Sequence, residues 1–378
     1  MVSAAHTHPA EQDGRRRGAA TAARHDGIQV LRAAAALLVL FSHASMLAPA
    51  PPGAFEPAAM ESWAIGVDLF FVVSGFAIAA SADRPGLTAA GFLQGRAARV
   101  LPLYLLASLP YLATAPTDGR QLWNTLLFLP ALDAAAYTQP AHPFGWTLAL
   151  EAWFYLFFAA VVRGAPAAAR VPALAAVAAA FVAGGALADA TVGDAWLLPR
   201  FVGTPMALEF AAGALLHRYR AALGSSAGAA ATLALAGAAA LLCTAAATPE
   251  LADHLATVAD PAFGLRRAIV WGVPAILTAM GVVALDRSGF RWPAWAVALG
   301  DRSFSLYLLQ PFAIDALHLV AWPRLQAAWM ALLLANLALA WSGHRWIERP
   351  SIGWLRARLG VPKWGISPPN GAAPPRAA

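Results

Sequence analysis

Apolar blocks recur along this chain at the length that crosses a lipid bilayer, roughly 20 residues at 1.5 Å rise each. Clear cases are 28–48, 63–82, 146–162 and 329–341 with its flanks. A globule in water cannot be covered by what remains. Of the 378 residues, 60% are hydrophobic and 12% charged, against about a quarter charged in soluble domains. Several of the 14 Trp stand at block edges (Trp63, Trp146, Trp196, Trp322), where an indole keeps one end apolar and one wet. The expected fold is all-α, a polytopic transmembrane helix bundle.

Charge sets the threading. The formal charge of +6 does not imply a nucleic-acid partner, because the basic residues, all Arg except Lys363, are scattered through short polar connections. The first block is too long, and lacks the small-residue cleavage site, to be a removed signal peptide. The arm before it carries Arg15, Arg16, Arg17 and Arg24, which the positive-inside rule assigns to the cytoplasm. About ten spans follow, near 28–48, 63–82, 100–115, 146–162, 172–190, 198–217, 229–248, 266–285, 301–321 and 325–343, with both termini cytoplasmic. Outer loops then hold only Arg120, Arg200, Arg266, Arg267 and Arg324. The block Leu122–Leu132 is short and contains Pro130. Counting it as a span would expose Arg163, Arg170, Arg218 and Arg220, so it reads as re-entrant or interfacial. The organisation is a polar cytoplasmic arm (1–27), a transmembrane domain (28–358) and a disordered cytoplasmic tail (359–378). The single Cys243 excludes an internal disulfide and reads as core filler. No metal site is expected, since no His pair has ligand spacing on a helix.

Ionisable groups inside a bilayer cost at least a few kcal/mol and are functional candidates. Arg32 and His43 are eleven residues apart on the first span. Eleven steps of about 100° return nearly to the same face, about 16 Å along the axis. Asp68 and Glu151 each lie just below the outer surface on the second and fourth spans. His43, Asp68 and Glu151 therefore share a depth, and a His oriented by a carboxylate is an arrangement for general-base catalysis. On the cytoplasmic side, Arg96 and Arg99 fall on one face of a helix. Forked guanidiniums suit phosphates, although Arg pairs at cytoplasmic span ends are also ordinary topology determinants.

Together these segments resemble a known family. Leu31 to His43, with Arg32, ten residues and then His43, is similar to the signature of the membrane-bound acyltransferase 3 family. So is Gly66-Val-Asp-Leu-Phe-Phe-Val-Val-Ser-Gly-Phe76, which includes Ser74 and Gly75. Arg96-Ala-Ala-Arg99 resembles the family's Arg-x-x-Arg loop, and Trp146-Thr-Leu-Ala-Leu-Glu-Ala-Trp-Phe-Tyr155 its Trp-Ser/Thr-Leu-x-x-Glu motif. Ser303-Phe-Ser-Leu-Tyr307-Leu-Leu309 and Ile347-Glu-Arg-Pro350 match its closing segments.

The resemblance implies an enzyme of a bacterial-type inner membrane that moves an acyl group, commonly acetyl, from acyl-CoA to a hydroxyl. The acceptor would be a carbohydrate or glycoside, and the sequence looks closest to the exopolysaccharide-modifying branch. By position, His43 is the essential histidine and Arg32, Arg96 and Arg99 serve the donor. Glu151 and Asp68 are carboxylate partners, and Ser74, Gly75, Trp146, Tyr155 and Tyr307 take structural or acceptor-side roles. No bound cofactor is implied; acyl-CoA is a co-substrate. Direct transfer and an acyl-enzyme on His43 both remain open, as does a small glycoside or macrolide acceptor. Two departures stand out. Gln310 occupies a position where many relatives carry His, which removes a titrating group, and Asp26 stands six residues before Arg32 instead of three. No fused esterase-like domain is expected, so an extracytoplasmic partner would be a separate protein. The rival class is a secondary transporter or flippase, whose spans also bury ionisable groups.

Overall fold

The computed structural model describes residues 25–43, 61–114, 119–128, 139–192, 197–320 and 325–360. Most of the N-terminal arm, all but the start of the tail and residues 129–132 of the disputed block lie outside these. Among the described residues there are helices and no strand. The first helices are α1 (Asp26–His43), α2 (Gly66–Ala82), α3 (Ala89–Thr114), α4 (Gly119–Leu127), α5 (Gly145–Gly164) and α6 (Arg170–Val192). Then come α7 (Leu197–Val202), α8 (Met206–Tyr219), α9 (Ala227–Ala247), α10 (His254–Ala259), α11 (Pro261–Arg267) and α12 (Val273–Arg287). The last are α13 (Ala294–Asp301), α14 (Ser303–Leu308), α15 (Gln310–His318), α16 (Leu325–Gly343) and α17 (Arg349–Arg358). Single π-helical turns, Ala268–Gly272 and His344–Glu348, join α11 to α12 and α16 to α17.

Eight helical segments are long and apolar enough to cross a membrane: Asp26–His43, Ser62–Ala82, Ala89–Thr114, Gly145–Gly164, Ala167–Thr191, Ala227–Ala247, Pro261–Arg287 and Gln326–Arg358. The other two blocks read from the sequence, 198–217 and 301–321, are helical but broken. The first parts between α7 and α8, and the second breaks at Arg302 and Leu309. A broken helix frees backbone groups that hydrocarbon cannot solvate, so protein must satisfy them. Pro311 has no N–H for the Tyr307 carbonyl. Nearby, His142 Nε2 donates to the Leu308 carbonyl at 3.0 Å, and Asn336 Nδ2 donates to the Leu306 carbonyl at 3.0 Å.

The block at 122–132 begins as α4, nine residues or about 13 Å long, far short of a roughly 30 Å core. Its Leu122, Trp123, Leu126 and Leu127 are exposed while Asn124 and Thr125 are buried. Thr125 Oγ1 accepts from the Ala141 N–H at 2.8 Å, tying α4 to the loop before α5. Cys243 is exposed on α9 instead of filling the core. It sits on an outward face with Leu235 and Leu242, where a bilayer makes apolar exposure cheap.

α2 is the centre of the bundle, packing on α1, α5, α6, α8 and α12. Lipid tails are as apolar as leucine, so helices in a membrane associate by close packing through small residues. α2 and α8 do this reciprocally: a Cβ at Gly75 would overlap the Phe210 carbonyl, and one at Gly213 the Val72 carbonyl. Ser74, one residue earlier and about 100° around α2, lines the chamber described below. At the other end of α1, the Asp286 carboxylate at the close of α12 accepts the Gly27 N–H at 3.0 Å and the Trp292 indole N–H at 2.6 Å. One orphan donor of α1's first turn is thereby met by another helix.

The crossing is testable. Gly75→Val forces a side chain into backbone that cannot give way, and should destabilise by at least about 1–3 kcal/mol. Gly95→Ala, with open space around its Cβ and inside a helix where Ala is the better former, should leave the melting temperature in detergent unchanged or slightly raised. Equal melting temperatures for both variants would contradict the close approach.

Candidate active site

Five helices converge on a cavity of about 810 Å³, its mouth included. α1 gives Arg32, α2 gives Ser74 and Phe70, α3 gives Arg96 and Arg99, α5 gives Thr147, Glu151 and Tyr155, and α14 gives Ser303 and Tyr307. Three arginines from two helices, 64 residues or more apart in sequence, thus share one chamber. Arg96 lies between two rings, its guanidinium carbon 5.3 Å from the Phe92 centroid and 5.4 Å from that of Tyr155. Cation–π contact of this kind fixes the fork without using its N–H donors. Among the described residues no carboxylate is in ion-pair contact with Arg32, Arg96 or Arg99, though Glu151 and Glu348 act on Arg32 through space. An anion with several oxygens is what this chamber can hold.

The chamber ends at a wall. The Tyr307 hydroxyl lies 2.8 Å from Thr147 Oγ1 and donates to the Phe144 carbonyl at 3.3 Å. Beyond it the Phe144 ring stacks on His43, centroids 4.2 Å apart and planes at 16°. His43, half-buried at the end of α1, therefore sits outside the arginine chamber. Its Nδ1 is 3.3 Å from Gln310 Oε1, and Gln310 Nε2 donates to the Ala36 carbonyl at 3.2 Å. The loop before α5 closes one side. Its His142 takes the Phe144 N–H on Nδ1 at 3.2 Å while giving Nε2–H to Leu308, and burial pushes its pKa down to about 4, so the ring is neutral. Trp146 is buried and absent from the chamber's lining; its ring is 5.3 Å from His254. His254, on α10, accepts from the Gln139 amide at 2.9 Å, and burial lowers its pKa too.

The sequence puts His43, Asp68 and Glu151 at one depth. The structure separates them by direction around their helices. Glu151 faces the arginines. Asp68 points away on α2 and is fully buried against Arg267, with Nε to Oδ1 at 3.1 Å and Nη2 to Oδ2 at 2.7 Å. Neither is the partner of the His43 ring; Gln310 is. The expected orientation of His43 by a carboxylate is thus corrected, because depth along a span says nothing of azimuth. Asp68 instead anchors Arg267, whose Nη1 donates to the Leu251 carbonyl at 3.1 Å and to Thr257 Oγ1 at 3.2 Å. The pair holds the 249–259 segment, and hence His254, in place.

Sequence reasoning also passed over Glu209, buried on α8 beside this pair and packed against Gly272. In the expected threading, a second arginine at the outer end of a span, against the positive-inside pattern, was the available signal for Arg267. The two closing motifs prove to be one contact: Ser305 Oγ donates to Glu348 Oε2 at 2.6 Å, and His344 Nδ1 to the same oxygen at 3.0 Å.

The described residues thus form a bundle of membrane-length helices around three arginines, with a histidine behind the chamber wall. The acyltransferase domain family (Acyl_transf_3) matches residues 25–345, and the chain belongs to it. It is an enzyme that transfers acyl groups. The chain is similar to the exopolysaccharide production protein ExoZ of Rhizobium meliloti (strain 1021), 28% identical over 317 residues, 78% of this chain and 91% of that protein. No solved structure matches.

Breaking the buried pair from one side leaves an uncompensated charge. Asp68→Asn or Arg267→Met should each cost about 3–5 kcal/mol, whereas Asp68→Leu with Arg267→Met should recover most of it. Thermal unfolding of the purified protein in detergent checks this; additive losses in the double variant would contradict direct pairing of the two side chains.

Proposed function

We propose that this protein is a membrane O-acyltransferase that moves an acetyl group from acetyl-CoA to a hydroxyl of an exported polysaccharide. The observation that carries the reading is the single chamber that gathers Arg32, Arg96 and Arg99 and ends at the wall behind which His43 sits. The donor's phosphates dock on the three guanidiniums from the cytoplasmic side through charge-assisted bonds. Its acyl end reaches His43, which takes the acceptor's hydroxyl proton as that oxygen attacks the thioester carbonyl. The carbon–sulfur bond breaks, and the thiolate leaves with the proton from the ring. Glu151, facing the arginines, balances their charge and orders the donor. The similarity to ExoZ supports an exopolysaccharide acceptor, and the family's chemistry supports acyl transfer over transport. In this reading the chain has ten spans in a bacterial-type inner membrane with both termini in the cytoplasm. The two broken helices count as spans, and α4 lies at the outer surface.

His43→Ala should insert normally yet leave the native polymer without acyl ester; wild-type ester content in the purified polysaccharide would sink the assignment. Arg96→Ala and Arg99→Ala should each weaken acetyl-CoA binding by about 10-fold or more, with the larger loss at low salt. Unchanged affinity by calorimetry in nanodiscs would reduce both residues to topology determinants.

The threading has its own test. In a Cys243→Ala background, an impermeant thiol reagent applied from outside should label Ala141→Cys and spare Ala168→Cys. The reverse pattern would invert α5 and the chamber with it.

A further inference from the structure

A histidine acts as a base through the ring nitrogen that lacks a proton, and which nitrogen that is depends on what the other one touches. At His43 the neighbour's identity decides the matter without any view of hydrogens. A backbone carbonyl only accepts, so the Gln310 atom facing the Ala36 carbonyl at 3.2 Å must be the amide nitrogen. The amide oxygen therefore faces His43, 3.3 Å from Nδ1. An amide oxygen also only accepts, so Nδ1 carries the proton. We infer that Gln310 is the positioning residue that holds His43 in the Nδ1–H tautomer and leaves Nε2 as the nitrogen that takes the acceptor's proton. This rests on His43 being the base, as proposed above.

The fold around the ring supports the assignment. Gln310 is fully buried, so water does not compete for its amide. It opens α15 directly after the break at Leu309, and the break turns it towards α1. Both its contacts are on α1, seven residues or about two turns apart, so the amide clamps the ring to the backbone of the same helix. On the ring's face, Phe144 stacks at 4.2 Å and blocks rotation. Among the described residues, the titratable group that acts on the His43 ring is His254, through space. The clamp also survives the reaction. When Nε2 gains the proton, Nδ1 keeps its own, and the same oxygen still accepts it. A lysine there would offer a second donor and repel the imidazolium; leucine would leave the ring only the Val39 carbonyl, one turn back on α1, and so admit the other tautomer.

The test uses full-length protein in nanodiscs with ¹⁵N-labelled histidine, the His43 signals being assigned by comparison with His43→Gln. The wild type should show Nδ1 protonated and Nε2 bare near neutral pH. Gln310→Leu should give a mixture of tautomers, with kcat down by about 100-fold and KM for acetyl-CoA within about 2-fold, because the donor chamber is untouched. Gln310→Glu accepts the same Nδ1 proton and should retain the wild-type tautomer and most of kcat. A bare Nδ1 in the wild type overturns the inference, and so does Gln310→Leu with unchanged tautomer and kcat. Should Gln310→Leu fail to fold, the wild-type spectrum and Gln310→Glu still decide. Failure of the underlying reading looks different: His43→Ala would then remain active, whatever Gln310 does.

Discussion

The buried Asp68–Arg267 pair gives this bundle a register that its apolar surfaces cannot supply. Two helices in hydrocarbon gain little by exchanging lipid contacts for each other, so sliding and rotation must be fixed by directional contacts and close packing. Arg267 makes four hydrogen bonds to three parts of the chain: Asp68 on α2, Leu251 in the connection after α9, and Thr257 on α10. Its guanidinium carbon also lies 4.8 Å from the Trp271 ring centroid. With both side chains essentially inaccessible, removing one charge would strand the other where neither lipid nor water can meet it. From this anchor follow the position of α10, the approach of His254 to Trp146, and the rotation of α2 that turns Ser74 towards the chamber and Gly75 towards α8.

What the sequence revealed and what it hid divide along one physical line. Hydropathy reports which blocks can form membrane-length helices, and eight of them do; Arg32, Arg96 and Arg99, from two of these helices, line one chamber. Rotation about a helix axis is set by partners far away in sequence. Asp68 was therefore drawn towards His43, when its partner lay 199 positions later. Breaks within a span were hidden for a related reason. An apolar average does not register a missing i→i−4 bond when a side chain elsewhere, such as His142 or Asn336, takes up the freed carbonyl. Gln310 looked like a lost titrating group because its value is geometric, and only the break at Leu309 gives it that geometry.

That broken segment joins the two halves of the site. α14 supplies Ser303, Phe304 and Tyr307 to the arginine chamber, while α15 begins with the residue that grips His43. Between them the chain is held by His142 from the loop before α5 and by Asn336 from α16. A continuous helix would carry Gln310 about 300° around from Tyr307 at 100° per residue, with no separate freedom for either. The break lets one short stretch face a polar chamber on one side and position an imidazole on the other. Ser305, on the same stretch, is fixed by Glu348, so the C-terminal motif steadies this joint.

Under the proposed reaction, the spacing within α1 constrains the donor. Arg32 and His43 are separated by about 16 Å of helix rise, and the Tyr307–Thr147 wall stands between the chamber and the histidine. A compact donor such as an acyl phosphate would hold its anion and its acyl carbon only a few ångströms apart, and could not satisfy both ends together. A donor whose phosphates and thioester are joined by a long narrow arm can. The wall need not require helix motion to admit that arm. Tyr307 and Thr147 meet through hydroxyls, so side-chain rotation opens the way by giving up two hydrogen bonds, each worth about 1 kcal/mol net. That cost is small beside the charge-assisted contacts available to the donor's phosphates. Under the same proposal, binding at the arginines offsets that cost, and the acyl end reaches the far side, where a base held in one tautomer faces the acceptor.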